Sequence, residues 1–143
     1  MFLYDAYDWW KIDLTGERQP ECLTKGYGRK HGKSIRKMTS NIDKDVFQKD
    51  EKVIVSLWDK DTMDEGVYQL DMKGRLKKLM EGNYVYTIHR FSDNHKYCVW
   101  NRQNVSEFRD LWWSKSDFSN SVKVTNANPQ QADYKWGTVK LIK

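Results

Sequence analysis

The chain has 143 residues, 38% of them hydrophobic and 31% charged, a length and balance that fit one compact domain. Its 7 Trp, 8 Tyr and 5 Phe exclude a disordered chain. No apolar run approaches the roughly 20 residues of a membrane-spanning helix, and Met1-Phe2-Leu3-Tyr4-Asp5 lacks the basic and apolar stretches of a signal peptide, so a soluble, cytoplasmic protein without membrane contact is expected. Cys22 and Cys98 are too few for a disulfide framework and read as free thiols.

Taken in order, Phe2 to Leu14 is aromatic-rich and broken by Asp5, Asp8 and Asp13, which predicts a strand or strand pair ending in the turn at Thr15-Gly16-Glu17. From Cys22 to Ser40 there are six cations, Lys25, Arg29, Lys30, Lys33, Arg36 and Lys37, and no acid. That stretch alone carries +6 against a chain total of +5, leaving −1 for everything else, so the basicity is local. Gly26, Gly28 and Gly32 within it predict a loop whose backbone approaches a ligand closely.

Ile42, Val46 and Phe47 permit a short helix over Asn41 to Lys49. Val53 to Trp58 and Gly66 to Leu70 predict two antiparallel strands joined by an acidic turn. Met72, Leu76, Leu79 and Met80 fall at helical spacing, with Asp71 as N-cap and Gly82 past the end, and predict a short helix. Tyr84 to Phe91 and His95 to Trp100 flank Ser92-Asp93-Asn94 as a hairpin. Asn104 and Glu107 form a capping pattern that opens a helix through Phe108, Leu111 and Trp112. Val122 and Val124 suggest one more strand, and Trp136 to Ile142 alternates as a last one. The sum is a single α+β domain over residues 1–143, mainly an antiparallel sheet or small barrel with two or three short helices.

Three motifs fall short of the chemistry they suggest. Gly28-Arg29-Lys30-His31-Gly32-Lys33-Ser34 has three residues between its glycines where a phosphate-binding P-loop has four. Asp59 to Gly66 puts Met63 at a calcium-ligand position and Asp64 where the turn glycine belongs. His95 and Cys98 have a zinc-like separation, but three residues along a strand point to opposite faces. Cys98 with a histidine, or Asp5, Asp8, Asp13 and Glu17 together, match no catalytic spacing, so no cofactor, no metal and no enzymatic activity are expected.

Two functions compete. The leading one is a small non-enzymatic protein that binds DNA or RNA, with Lys25, Arg29, Lys30, Lys33, Arg36 and Lys37 on phosphates and Tyr27 as the stacking aromatic. The alternative is a protein-interaction module of the viral or phage type, which binds and inhibits a host protein. Its motivation is the adjacent pairs Trp9-Trp10 and Trp112-Trp113, in which neighbours on a strand point to opposite faces and leave a Trp for the surface.

Overall fold

A computed structural model describes residues 1–38, 47–48, 50–139 and 142. They divide into two compact units, residues 1–38 with 47–81, and residues 82 onward.

The first unit holds two antiparallel sheets. Strands β1 (Phe2–Tyr4), β2 (Trp9–Lys11) and β3 (Glu21–Cys22) make one, in that order. Then come a single helical turn, α1 (Tyr27–Lys30), and β4 (Lys33–Lys37), β5 (Lys52–Asp59), β6 (Glu65–Asp71) and β7 (Leu76–Gly82), the last four hydrogen-bonded side by side. Period-two alternation builds the second sheet. Val53, Val55 and Leu57 pair with Leu70, Tyr68 and Gly66, and Ile35 pairs with Leu57, so one face is apolar from β4 to β6. Trp9 and Leu23 close over that face. Full burial of each such aliphatic side chain contributes roughly 1.5–3 kcal/mol.

The second unit is an antiparallel meander of β8 (Val85–Phe91), β9 (Tyr97–Gln103), β10 (Asp110–Lys115) and β11 (Val122–Lys123), followed by a 3-10 turn over Pro129–Asp133. Its inner face is aromatic. Trp100 stacks on Trp112 with ring centroids 5.5 Å apart, meets Phe118 edge-on at 5.9 Å and donates from Nε1 to Ser114 Oγ at 3.0 Å. Ile88 and Phe91 are both buried although they are three positions apart, which on a regular strand would put them on opposite faces, and a bulge between Ile88 and Arg90 makes this possible.

The α+β expectation is overturned, because the fold is three antiparallel sheets and the only helical pieces among the described residues are α1 and the 3-10 turn. The helix expected from Met72 to Glu81 is strand β7, and the one expected from Asn104 through Trp112 is a turn leading into β10. Asp71 explains the first. Its Oδ1 accepts from the N–H groups of Lys73 and Arg75, which closes a local turn, and Gly74 then takes φ +80°. A Cβ at Gly74 would lie 1.9 Å from the Leu23 carbonyl oxygen, so the turn tolerates glycine alone. The stretch expected as a basic loop carries β3, α1 and β4. The paired strands β5 and β6, the hairpin β8–β9 and the short strand at Val122 stand where the alternation placed them. Residues 136–139 form no strand, and most of the helix expected at Asn41 to Lys49 lies outside the described residues. No helix among the described residues is long and apolar enough to cross a membrane.

Candidate nucleic-acid interface

The basic segment is organised by a buried carboxylate. Asp8, 1% exposed, accepts the Thr24 hydroxyl at 2.7 Å and the Gly28 N–H at 2.8 Å on Oδ1, and the Arg29 N–H at 3.0 Å on Oδ2. The amides that a P-loop would offer to a phosphate are thus already held by an anion of the chain. Gly28 serves packing: a Cβ there would stand 2.6 Å from the Lys33 carbonyl oxygen and 2.7 Å from that of Tyr7. The glycine expected to approach a ligand approaches backbone instead.

Three of the six cations are drawn inward. Lys33 Nζ donates to Glu81 Oε1 at 2.5 Å and lies 3.8 Å from Asp59. The Glu81 bond raises the Lys33 ammonium pKa, and the Lys33 bond lowers that of Glu81. Arg36 donates to the carbonyls of Ile35, Asp5 and Ala6 and lies over the Tyr4 ring at 5.1 Å. Lys37 Nζ sits 5.4 Å from the centre of the Phe47 ring. Tyr27, expected to stack on bases, is half-buried against the hydrophobic cluster with its ring 4.4 Å from that of His31.

Arg29, Lys30 and Lys25 remain at the surface. Arg29 bonds Asp5 at 2.9 Å while its side chain stays 62% exposed. Burial pushes the Asp5 carboxyl up, but donors from Asp8 N, Tyr7 N, Trp10 Nε1 and Arg29 outweigh it and hold the group well below the usual carboxylate range. The Arg29 guanidinium carbon also lies 5.0 Å from the centre of the Tyr7 ring, and Lys60 Nζ approaches the same ring at 3.7 Å. Two cations therefore converge on one aromatic, with Lys30 and His31 exposed on the adjoining turn.

Tyr7 and Lys60 have no signal in the sequence, since one sits among alternating acids and the other in an acidic turn. Main-chain pairing brings them in: Ile35 N–H donates to Tyr7 O at 2.8 Å and Lys60 N–H to Gly32 O at 3.1 Å.

The other candidate centres resolve into structural roles. The Asp59 carboxylate accepts from Asp61 N and Thr62 N and shapes the β5–β6 turn. Cys98 is 1% exposed beside Ser114 Oγ at 3.2 Å, and burial pushes its thiol up, opposite to an activated nucleophile. Among the described residues no three His, Cys, Asp or Glu side chains converge as a metal site. Comparison with protein families, with characterised proteins and with solved structures gives no match.

Proposed function

We propose that the chain is a non-enzymatic nucleic-acid-binding protein whose phosphate contacts are Arg29, Lys30 and Lys60, grouped about Tyr7, with Lys25 beside them. The observation that supports this most is the convergence of exposed Arg29 and half-buried Lys60 on the half-buried Tyr7 ring. Both cations stand within 5.0 Å of one ring centre, and a polyanion that meets them there gains by releasing its own counterions. Lys33 and Arg36 stay out of the contact set because they are partly buried with their donors on carboxylates and main-chain carbonyls, whereas Arg29 keeps an exposed side chain beside its bond to Asp5.

Binding of mixed-sequence duplex and single strands at three salt concentrations tests the reading. Replacing Arg29, Lys30 and Lys60 together by Gln is expected to cut the magnitude of the log–log salt slope on duplex DNA by about three units, roughly 0.9 for each lost phosphate contact. Arg36→Gln is expected to lower stability and leave the slope unchanged. A wild-type chain that binds neither form at about 50 mM salt, or a triple variant with an unchanged slope, refutes it.

The protein-interaction reading draws on a separate observation: Tyr134, Trp136, Val139 and Ile142 are exposed, at 68, 50, 73 and 89%. Purified protein free of absorbance from nucleic acid, with a defined protein partner bound through Trp136, would put that reading first.

A further inference from the structure

The bulge in β8 has a consequence for the outer face of its sheet. In an unbroken register Arg90 would pair with Cys98 and point into the core. With the bulge, Arg90 pairs with Val99, Val99 with Trp113, and Trp113 with Val122. These four form one row across four strands on the outer face, and Tyr97 with Lys115 forms the next. Bulges recur where a side chain is re-aimed toward a site.

The row presents flat π surface beside positive charge. The rings of Trp113 and Tyr97 stack, centroids 5.0 Å apart and 24° from parallel, and each side chain remains about two-fifths exposed. Arg90 is 69% exposed, and Lys115 is exposed as well. An open pocket of about 420 Å³ lies against them, lined by Arg90, Ser92, Asp93, Tyr97, Val99 and Trp113. Asp93 is the counter-charge at its rim, 3.8 Å from Arg90. Pre-stacked aromatics flanked by cations are the arrangement that binds unpaired bases, since every base offers a π face and a duplex does not expose one.

We infer that the outer face of the β8–β11 sheet is a base-stacking platform for single-stranded nucleic acid: an unpaired base continues the Trp113–Tyr97 stack in the pocket, and Arg90 and Lys115 meet the flanking phosphates. This rests on the nucleic-acid reading above and adds the form recognised, a single strand. The phosphate cluster at Tyr7 is indifferent to strandedness, whereas the platform discriminates.

The experiment measures binding of fluorescein-labelled mixed-sequence single-stranded DNA, single-stranded RNA and duplex DNA, at three salt concentrations, to the full chain and its variants. Trp113→Ala is expected to weaken single-strand binding about 5- to 150-fold, leaving the salt slope and duplex affinity near wild type. Trp113→Phe retains most of the affinity. Arg90→Gln lowers the single-strand slope by about 0.7, and Asp93→Asn tightens binding by removing a like charge from the path of the phosphates. Cooperative thermal unfolding verifies folding, and Tyr97→Leu serves as a second disruption of the stack should Trp113→Ala lose its fold. Trp113→Ala and Tyr97→Leu variants that bind single strands as tightly as wild type overturn the platform while leaving the phosphate cluster standing. Equal losses on duplex and single strand overturn it too, and absence of all nucleic-acid binding overturns both readings. A face that instead holds a second copy would show as a dimer that Trp113→Ala converts to monomer without changing nucleic-acid affinity, and that result also overturns the proposal.

Discussion

Among the described residues each unit buries one aspartate, and the two are neutralised differently. Asp8 in the first unit is met by a hydroxyl and two main-chain N–H groups, all three from residues 24–29. Asp110 in the second, 4% exposed, accepts the Thr125 hydroxyl at 2.7 Å and the Ala127 N–H at 2.8 Å, and adds the Lys123 ammonium at 2.6 Å. The Lys123 side chain remains 42% exposed. One anion is held by backbone dipoles that cannot leave, the other partly by a cation that can turn to water. The cores differ as well: the first sets a single indole, Trp9, among phenyl and phenol rings over Val53, Val55 and Leu70, and the second stacks two indoles, Trp100 on Trp112.

Trp100 carries the largest expected effect. Trp100→Ala is expected to cost about 3–5 kcal/mol by leaving a cavity between Trp112 and Phe118, and to remove much of the near-ultraviolet dichroism. Trp9→Ala, which removes an indole set among the rings of Phe2, Tyr4 and Phe47, is expected to cost as much with a smaller spectral change, since no second indole stacks on it. A comparable spectral loss from both would show that the aromatic stack is not what orders the second unit.

Next come the aspartates. Asp8→Ala strands the Thr24 hydroxyl and the Gly28 and Arg29 amides and is expected to cost about 3 kcal/mol, against about 1–2 kcal/mol for Asp110→Ala, whose lysine finds water. Urea denaturation measures both, and equal losses would erase the distinction.

The pH dependence sharpens it further. Burial pushes the Asp110 carboxyl up, but Lys123, Ala127 and Thr125 outweigh this and leave it below its ordinary value of 3.8. A depressed folded-state value means the stabilisation is fully present above the unfolded value and is lost as pH falls through the folded one. The stability gap between wild type and Asp110→Asn is therefore expected to be constant near pH 6 and to close progressively below about pH 4. A gap that widens in acid would reverse the sign and the argument.

The smallest effect is expected at Glu81→Gln, about 1 kcal/mol, because Lys33 keeps Asp59 at 3.8 Å after losing its closer partner. Its gap should close in acid for the same reason, since the Lys33 hydrogen bond lowers the Glu81 carboxyl below 4.5.

The strands whose apolar positions alternate can be read directly from the order of residues. Val53 to Trp58 with Gly66 to Leu70, and the hairpin from Tyr84 to Trp100, were legible because a period of two has one solution that buries a face. Asp71 and Asn104, expected as helix caps, accept the amides two to four residues on through their side-chain oxygens, but in turns that no helix follows. Whether a helix follows such a cap was decided elsewhere: a capped turn is only a nucleus, and at both places the next residues gained more by pairing with a neighbouring strand than by propagating a short helix. The charge of the basic segment was legible, and its destination was not. Lys33 meets Glu81 across 48 residues and Arg36 meets Asp5 across 31. Lys60 joins the cluster only because its amide pairs with Gly32. Local sequence states which residues carry charge, but a charge acts through what lies within a few ångströms of it, and that distance is set by the pairing of strands far apart in the chain.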